Sequence, residues 1–182
     1  MKETRICIIG GGSRLWAIQF FKDLAYNKMT HGTVVLHDID HKAAMNNVAV
    51  GEQTFRVNDS EGRFKFIAED NLEKALEGVD LVIISIEPGN IECRKGDLLL
   101  PEEYGILQSV GDTTGPGGIM RARRALPFFF EFAKAIKKVC PDAWVINYTN
   151  PMTLCTAALY KAFPEIKALG CCHEVFHTET FI

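Results

Sequence analysis

No apolar run in this sequence approaches the roughly 20 residues that a membrane-spanning helix needs. Leu81–Ile86 and Ala125–Ala133 fall well short, and Glu131 interrupts the second. Behind the charged start Met1–Arg5, the run Ile6–Ile9 ends at Gly10, too short for the apolar part of a signal peptide, so the expectation is a cytoplasmic protein. An excess of either charge sign is also missing: 20 Lys plus Arg stand against 23 Asp plus Glu, a formal net charge of -3. That balance gives no electrostatic reason for nucleic acid or an anionic membrane as partner, and points to a small, polar one. The six cysteines (Cys7, Cys93, Cys140, Cys155, Cys171, Cys172) form no short-spaced framework, and Cys7 lies in an apolar strand-like run, so buried, reduced thiols are expected. Internal repeats and low-complexity tracts are absent. With 47% hydrophobic and 24% charged residues, 15 Gly and 7 Pro, the composition excludes disorder, collagen and coiled coil. A chain of 182 residues can bury roughly 70% of its unfolded surface and fold as one domain.

What is present is alternation. Strands are expected at Arg5–Ile9, Thr33–His37, Phe64–Ile67, Asp80–Ile86, Ala143–Tyr148 and Lys167–Cys171. Helices are expected at Leu15–Tyr26, His41–Val57, Asn71–Leu76, Arg121–Val139 and Met152–Phe163. Near-continuous Val, Ile and Leu in Leu81–Ile86 implies burial on both faces, as in a parallel sheet covered by helices. The fold class is therefore α/β, a Rossmann-like, doubly wound, mostly parallel sheet with helices on both faces. Ser13 can cap the first helix, Gly78 follows the third and Pro141 stops the fourth, which is expected to begin near Ala125 or kink at Pro127. Residues 87–118, rich in Gly and Pro, read as a long functional loop.

Ile6–Ile9 runs into Gly10-Gly11-Gly12-Ser13 and a helix, the context in which backbone N–H groups meet a pyrophosphate. Leu15 stands where the third glycine of the usual fingerprint belongs, so a simple tight turn is the alternative. The second strand ends at Asp38, twenty-eight positions after Gly10. An acid there accepts from ribose hydroxyls and repels a 2'-phosphate, favouring NAD over NADP. Asp40 is the rival, or simply a helix cap.

Ligands of doubly wound sheets collect outside the carboxyl ends of strands. Three later exits are polar: Ser85–Asn90 followed by Arg94, Asn147–Pro151, and Gly170–Glu174. Asn150, before Pro151, can aim its amide into the cleft or serve as a structural turn. Cys172 and His173 offer a thiolate and an imidazole, too few for a complete metal site, and Cys171 reads as core.

Taken together, Ile9–Ser13, His37–Asp40, Gly111-Asp-Thr-Thr-Gly-Pro-Gly-Gly118, Ile146–Met152 and Cys172-His-Glu-Val175 resemble the amino-terminal half of glycoside hydrolase family 4, most like its α-galacturonidase branch. Family members are more than twice as long, so residues 1–182 correspond to an NAD-binding domain without the carboxy-terminal part, and alone would be nearly inactive. The resemblance implies cleavage of α-galacturonides by oxidation with NAD at carbon 3, metal-assisted deprotonation at carbon 2, elimination of the aglycone, addition of water and return of the hydride. It assigns Gly10, Gly12, Ser13 and Asp38 to NAD, and Cys172 to manganese(II) or another divalent metal. Asn150 becomes a sugar or metal-site contact, and Arg94 a bidentate partner for the uronate carboxylate. His173 becomes a proton donor to the leaving oxygen or an orienter of a sugar hydroxyl. A homo-oligomer is also implied. A surface for the missing half is expected around Phe128–Phe132 or Phe176–Ile182. Two alternatives stay open: a lactate or malate dehydrogenase-like 2-hydroxyacid oxidoreductase, and an NAD-binding module without catalysis.

Overall fold

The computed structural model describes residues 3–172 and 174–179. Six strands, β1 (Thr4–Ile9), β2 (Gly32–His37), β3 (Phe64–Ala68), β4 (Leu81–Ile84), β5 (Trp144–Asn147) and β6 (Lys167–Gly170), form one sheet in the order β3-β2-β1-β4-β5-β6. Every pairing is parallel. The order reverses between β1 and β4, which gives this Rossmann-like sheet its crevice at the carboxyl ends of those two strands.

Alternation along β1 divides the core in two. Ile6 and Ile8 face α1 (Trp16–Tyr26) and α2 (His41–Val57), with Phe20, Phe21 and Phe55 beneath them. Cys7 and Ile9 face the other side, packed with Leu76 of the short helix α3 (Leu72–Ala75) and its cap, Phe129 and Ile136 of α5 (Gly115–Val139), and Leu159 of α6 (Met152–Ala162). The strands read as continuous apolar runs because both faces are covered.

Three expectations need correction. Residues 87–118 are not one loop: α4 (Ile91–Leu99) and a 3-10 turn (Leu100–Tyr104) occupy much of them, with Asn90 capping α4 by accepting the Cys93 N–H. Helix α5 begins at Gly115 rather than near Ala125 and keeps Pro127 inside it. Pro116 needs no donor in a first turn. Pro127 and Arg123, whose carbonyl loses its partner, both lie on the exposed face, where water can replace the missing bond. The expected surface at Phe128–Phe132 shrinks to Phe128, because Phe129 and Phe132 belong to the core. Of the other expected surface, Phe176–Ile182, residues 180–182 lie outside the described residues. A short helix, α7 (Glu174–Glu179), follows β6. Among the described residues no helix is long and apolar enough to cross a membrane.

Candidate active site

The glycine turn leaves β1 under close constraint. Gly10 has φ +95°, and a Cβ there would overlap the carbonyl of Ser85. The N–H groups of Gly10 and Gly11 both donate to the His37 carbonyl, at 2.9 and 3.0 Å. Gly12 donates to Asp38 Oδ2 at 2.9 Å, and its missing Cβ keeps it clear of that carboxylate and of Ala43. Ser13 Oγ accepts from the N–H groups of Leu15 and Trp16 at the start of α1, which leaves its O–H to donate elsewhere.

Asp38 and Asp40 separate cleanly. Asp40 caps α2 by accepting the Ala43 N–H at 3.0 Å. The Asp38 carboxylate is fixed by Gly12 and by the Asp40 N–H, yet an ionised carboxylate has about four acceptor positions, so capacity for ribose hydroxyls remains. Asn47, which the sequence did not single out, clamps the turn from α2: its Nδ2 donates to the carbonyls of Gly11 and Ser13.

At the other strand ends, Asn147 and Thr149 point inward and shape the turn. Asn147 Oδ1 accepts the Thr149 N–H at 2.8 Å, and Thr149 Oγ1 accepts the Ile86 N–H at 3.0 Å, which ties the β4 and β5 exits together. Tyr148, Thr149 and Asn150 all border the cleft, with the Thr149 hydroxyl engaged by β4. The Asn150–Pro151 peptide bond is cis. Tyr148 packs between Trp16 and Phe20, with centroids 5.5 and 5.1 Å away. Burial, helped by the Cys171 thiol, pushes the Tyr148 phenol up to about 12. Cys171 is thus not core: it is half-buried and lines the cleft.

One cleft of about 1340 Å³ collects these groups. Gly10, Gly12, Ser13, Asp38, Arg94, Asn150 and Cys172 all line it. His173 lies outside the described residues. Arg94 is about 39% exposed and sits 3.7 Å from Glu87 Oε2. The cation that sequence reading passed over is Arg121, 7% exposed on α5, which lies 2.5 Å from Glu87 Oε2 and 3.7 Å from Asp112 Oδ2. Its Nε is buried and, among the described residues, has no partner. Nothing in Arg-Ala-Arg-Arg distinguishes Arg121 from its neighbours until the helix phase is known.

The cleft suits a dinucleotide. The turn brings bare backbone where a Cβ would block approach, and Asp38 stands at the adjoining strand end. For a metal the donors are fewer: among the described residues no group of three His, Cys, Asp or Glu comes together, and Cys172 brings one thiol to the cleft. The described residues therefore supply at most part of a coordination sphere.

Residues 5–182 match the description of the family 4 glycosyl hydrolases. The chain belongs to that family. An α-galacturonidase of Thermoanaerobacterium saccharolyticum is 54% identical over 180 residues, which cover 99% of this chain and 39% of that protein. Among solved structures, lplD of Bacillus subtilis superposes with a TM-score of 0.94 at 49% identity, covering all of this chain and 41% of its own. The 6-phospho-beta glucosidase of Thermotoga maritima, solved with manganese, NAD+ and glucose-6-phosphate, gives a TM-score of 0.81 at 26% identity, over 98% of this chain and 42% of that one. This family 4 chain thus spans about 40% of the length of the relatives it matches.

Proposed function

We propose that residues 1–182 form the dinucleotide-binding part of an NAD-dependent α-galacturonidase. The observation that carries this reading is the cleft that holds both the triglycine turn with Asp38 and the side chains of Arg94, Asn150 and Cys172. The 54% identity to an α-galacturonidase supports the choice of sugar.

In this reading the Gly10 and Gly12 backbones admit the pyrophosphate and Asp38 accepts from the ribose hydroxyls. Bound there, NAD supplies a reversible two-electron oxidation at carbon 3 of the sugar, which acidifies the proton on carbon 2. Ser13 donates its O–H toward the bound phosphate. Arg94, held only loosely by Glu87, can exchange that partner for the uronate carboxylate and grip it through two parallel N–H bonds. Asn150 meets a sugar hydroxyl. Cys172 offers a thiolate to a divalent cation such as manganese, whose remaining ligands lie beyond the described residues. His173 is proposed to serve the leaving oxygen.

The test uses the intact protein with NAD and manganese on α-galacturonides, α-galactosides and phosphorylated glucosides, run in heavy water. Galacturonide cleavage with deuterium at carbon 2 of the product and no net NADH is expected. Product without deuterium would remove the elimination route, and NADH accumulating with a 2-hydroxy acid would place the protein with the dehydrogenases instead.

A further inference from the structure

Four polar side chains from separate segments meet on one wall of the cleft: Glu87 after β4, Asp112 ahead of α5, Arg121 within α5 and Asn150 after β5. Asn150 Nδ2 donates to Asp112 Oδ2 at 2.9 Å, and that same oxygen faces Arg121 Nη1 at 3.7 Å. Arg121 is nearly buried and is held at its other end by Glu87.

An amide side chain can turn over, exchanging its oxygen and nitrogen at little steric cost, and only its partners fix its direction. Here the partner is a carboxylate, which accepts and never donates while ionised. The Arg121 guanidinium, which has only donors, lies beside it. The NH2 of Asn150 must therefore face Asp112, and Oδ1 is left toward the cleft, where among the described residues no donor meets it.

We propose that Arg121 and Asp112 are positioning residues that lock the Asn150 amide with its oxygen outward, as the acceptor for a hydroxyl of the bound uronic acid. The inference rests on Asn150 facing the sugar. It makes Asn150 a one-directional group: it selects a donor and rejects a ligand that presents only an acceptor there. The sequence motif containing Asp112, read as a glycine-rich loop, thus acts through Asn150 from thirty-eight positions away.

The test uses Asp112→Asn, which removes the obligatory acceptor, and the double variant Asp112→Asn with Asn150→Asp. The double variant keeps the net charge and reverses the bond: the amide introduced at position 112 donates, and one oxygen at position 150 still faces the cleft. Asp112→Asn is expected to weaken galacturonate binding to the NAD-loaded protein by about tenfold or more, with NAD affinity unchanged, and the double variant to recover most of the loss. Manganese titrated alone separates a hydroxyl partner from a cation: a tenfold loss for manganese without one for galacturonate overturns the hydroxyl assignment. A ligand-free readout accompanies these, the exchange protection of the Asn150 side-chain NH2 in 15N spectra, expected in the wild type and lost in Asp112→Ala, which leaves no acceptor at that position. Equal protection in both, unchanged galacturonate affinity, or NAD affinity and melting temperature falling in step with it overturns the proposal. A wild type that binds NAD but no galacturonate defeats the assignment of the sugar, while the NH2 measurement still decides the lock.

Discussion

The backbone N–H of Gly12 donates to Oδ2 of Asp38 at 2.9 Å, so the turn after the first strand and the acid after the second are one unit. Asp38 is therefore placed before any ligand arrives, and the proposed function assigns it to the ribose hydroxyls of a dinucleotide on this turn.

The intact wild type should bind NAD more tightly than NADP. Asp38→Ser should narrow that preference and weaken NAD by about tenfold, roughly 1.4 kcal/mol, through loss of one charged acceptor. Calorimetry with both nucleotides checks this; a wild type that prefers NADP contradicts the role of Asp38.

Gly10 and Gly62 both have positive φ, +95° and +77°, but only Gly10 lacks room for a Cβ. Gly62→Ala should cost roughly 1–2 kcal/mol from backbone conformation alone. Gly10→Ala should cost about 3 kcal/mol or more, because the Ser85 carbonyl must also move. Urea midpoints of the two variants give the comparison, and equal losses would mean the Ser85 contact is unimportant.

Burial pushes the thiol of Cys140 up to about 11 and that of Cys155 up to about 12, with Cys7 raised further still, all from an ordinary value of 9.0. A raised folded-state value means stability is fully present below pH 9 and declines as pH rises toward 11 and 12, because only the unfolded chain ionises easily. Denaturant midpoints should fall between about pH 8.5 and 10.5 more steeply in the wild type than in Cys140→Ala. At neutral pH a maleimide should modify Cys93, Cys171 and Cys172 before the three buried thiols. Early labelling of Cys155 would be inconsistent with this packing.

Arg124 grips Asp97 through both terminal nitrogens and donates from Nε to the Pro88 carbonyl, which binds α4 to α5. Asp97 raises the proton affinity of that guanidinium mainly through the hydrogen bond. Because Asp97 is only 9% exposed, Arg124→Met strands a carboxylate and should cost about 3 kcal/mol. The double variant with Asp97→Leu should recover part of the loss, and a single variant as stable as the wild type would show that the pair is solvated in solution.

Much of the architecture was legible because each strand is a short apolar run between turn residues and each crossover carries helix signals. Asp40, a rival to Asp38, was resolved only by seeing that its carboxylate caps α2. Helix α4 was missed because Ile91–Leu99 has no buried face, so no apolar stripe marks it. The early start of α5 was missed because Gly-Pro-Gly-Gly opens it, residues that ordinarily announce a loop; Gly117 and Gly118 are buried there against the 111–113 backbone and Asp97, where a side chain would not fit.

The order of local patterns along the chain determined the alternation of strands and helices, the mostly parallel sheet that such alternation implies, and the residues that leave each strand, whereas the switch between β1 and β4 joins segments about 75 positions apart and needed the tertiary structure. Only the tertiary structure decided that Arg121 rather than its neighbouring arginines enters the cleft, and that Glu87, Asp112 and Asn150 meet around it. A guanidinium taken out of water must find its counter-charges wherever the fold brings them, and those come from residues 34 and 9 positions before it, on two different segments, with the amide 29 positions beyond.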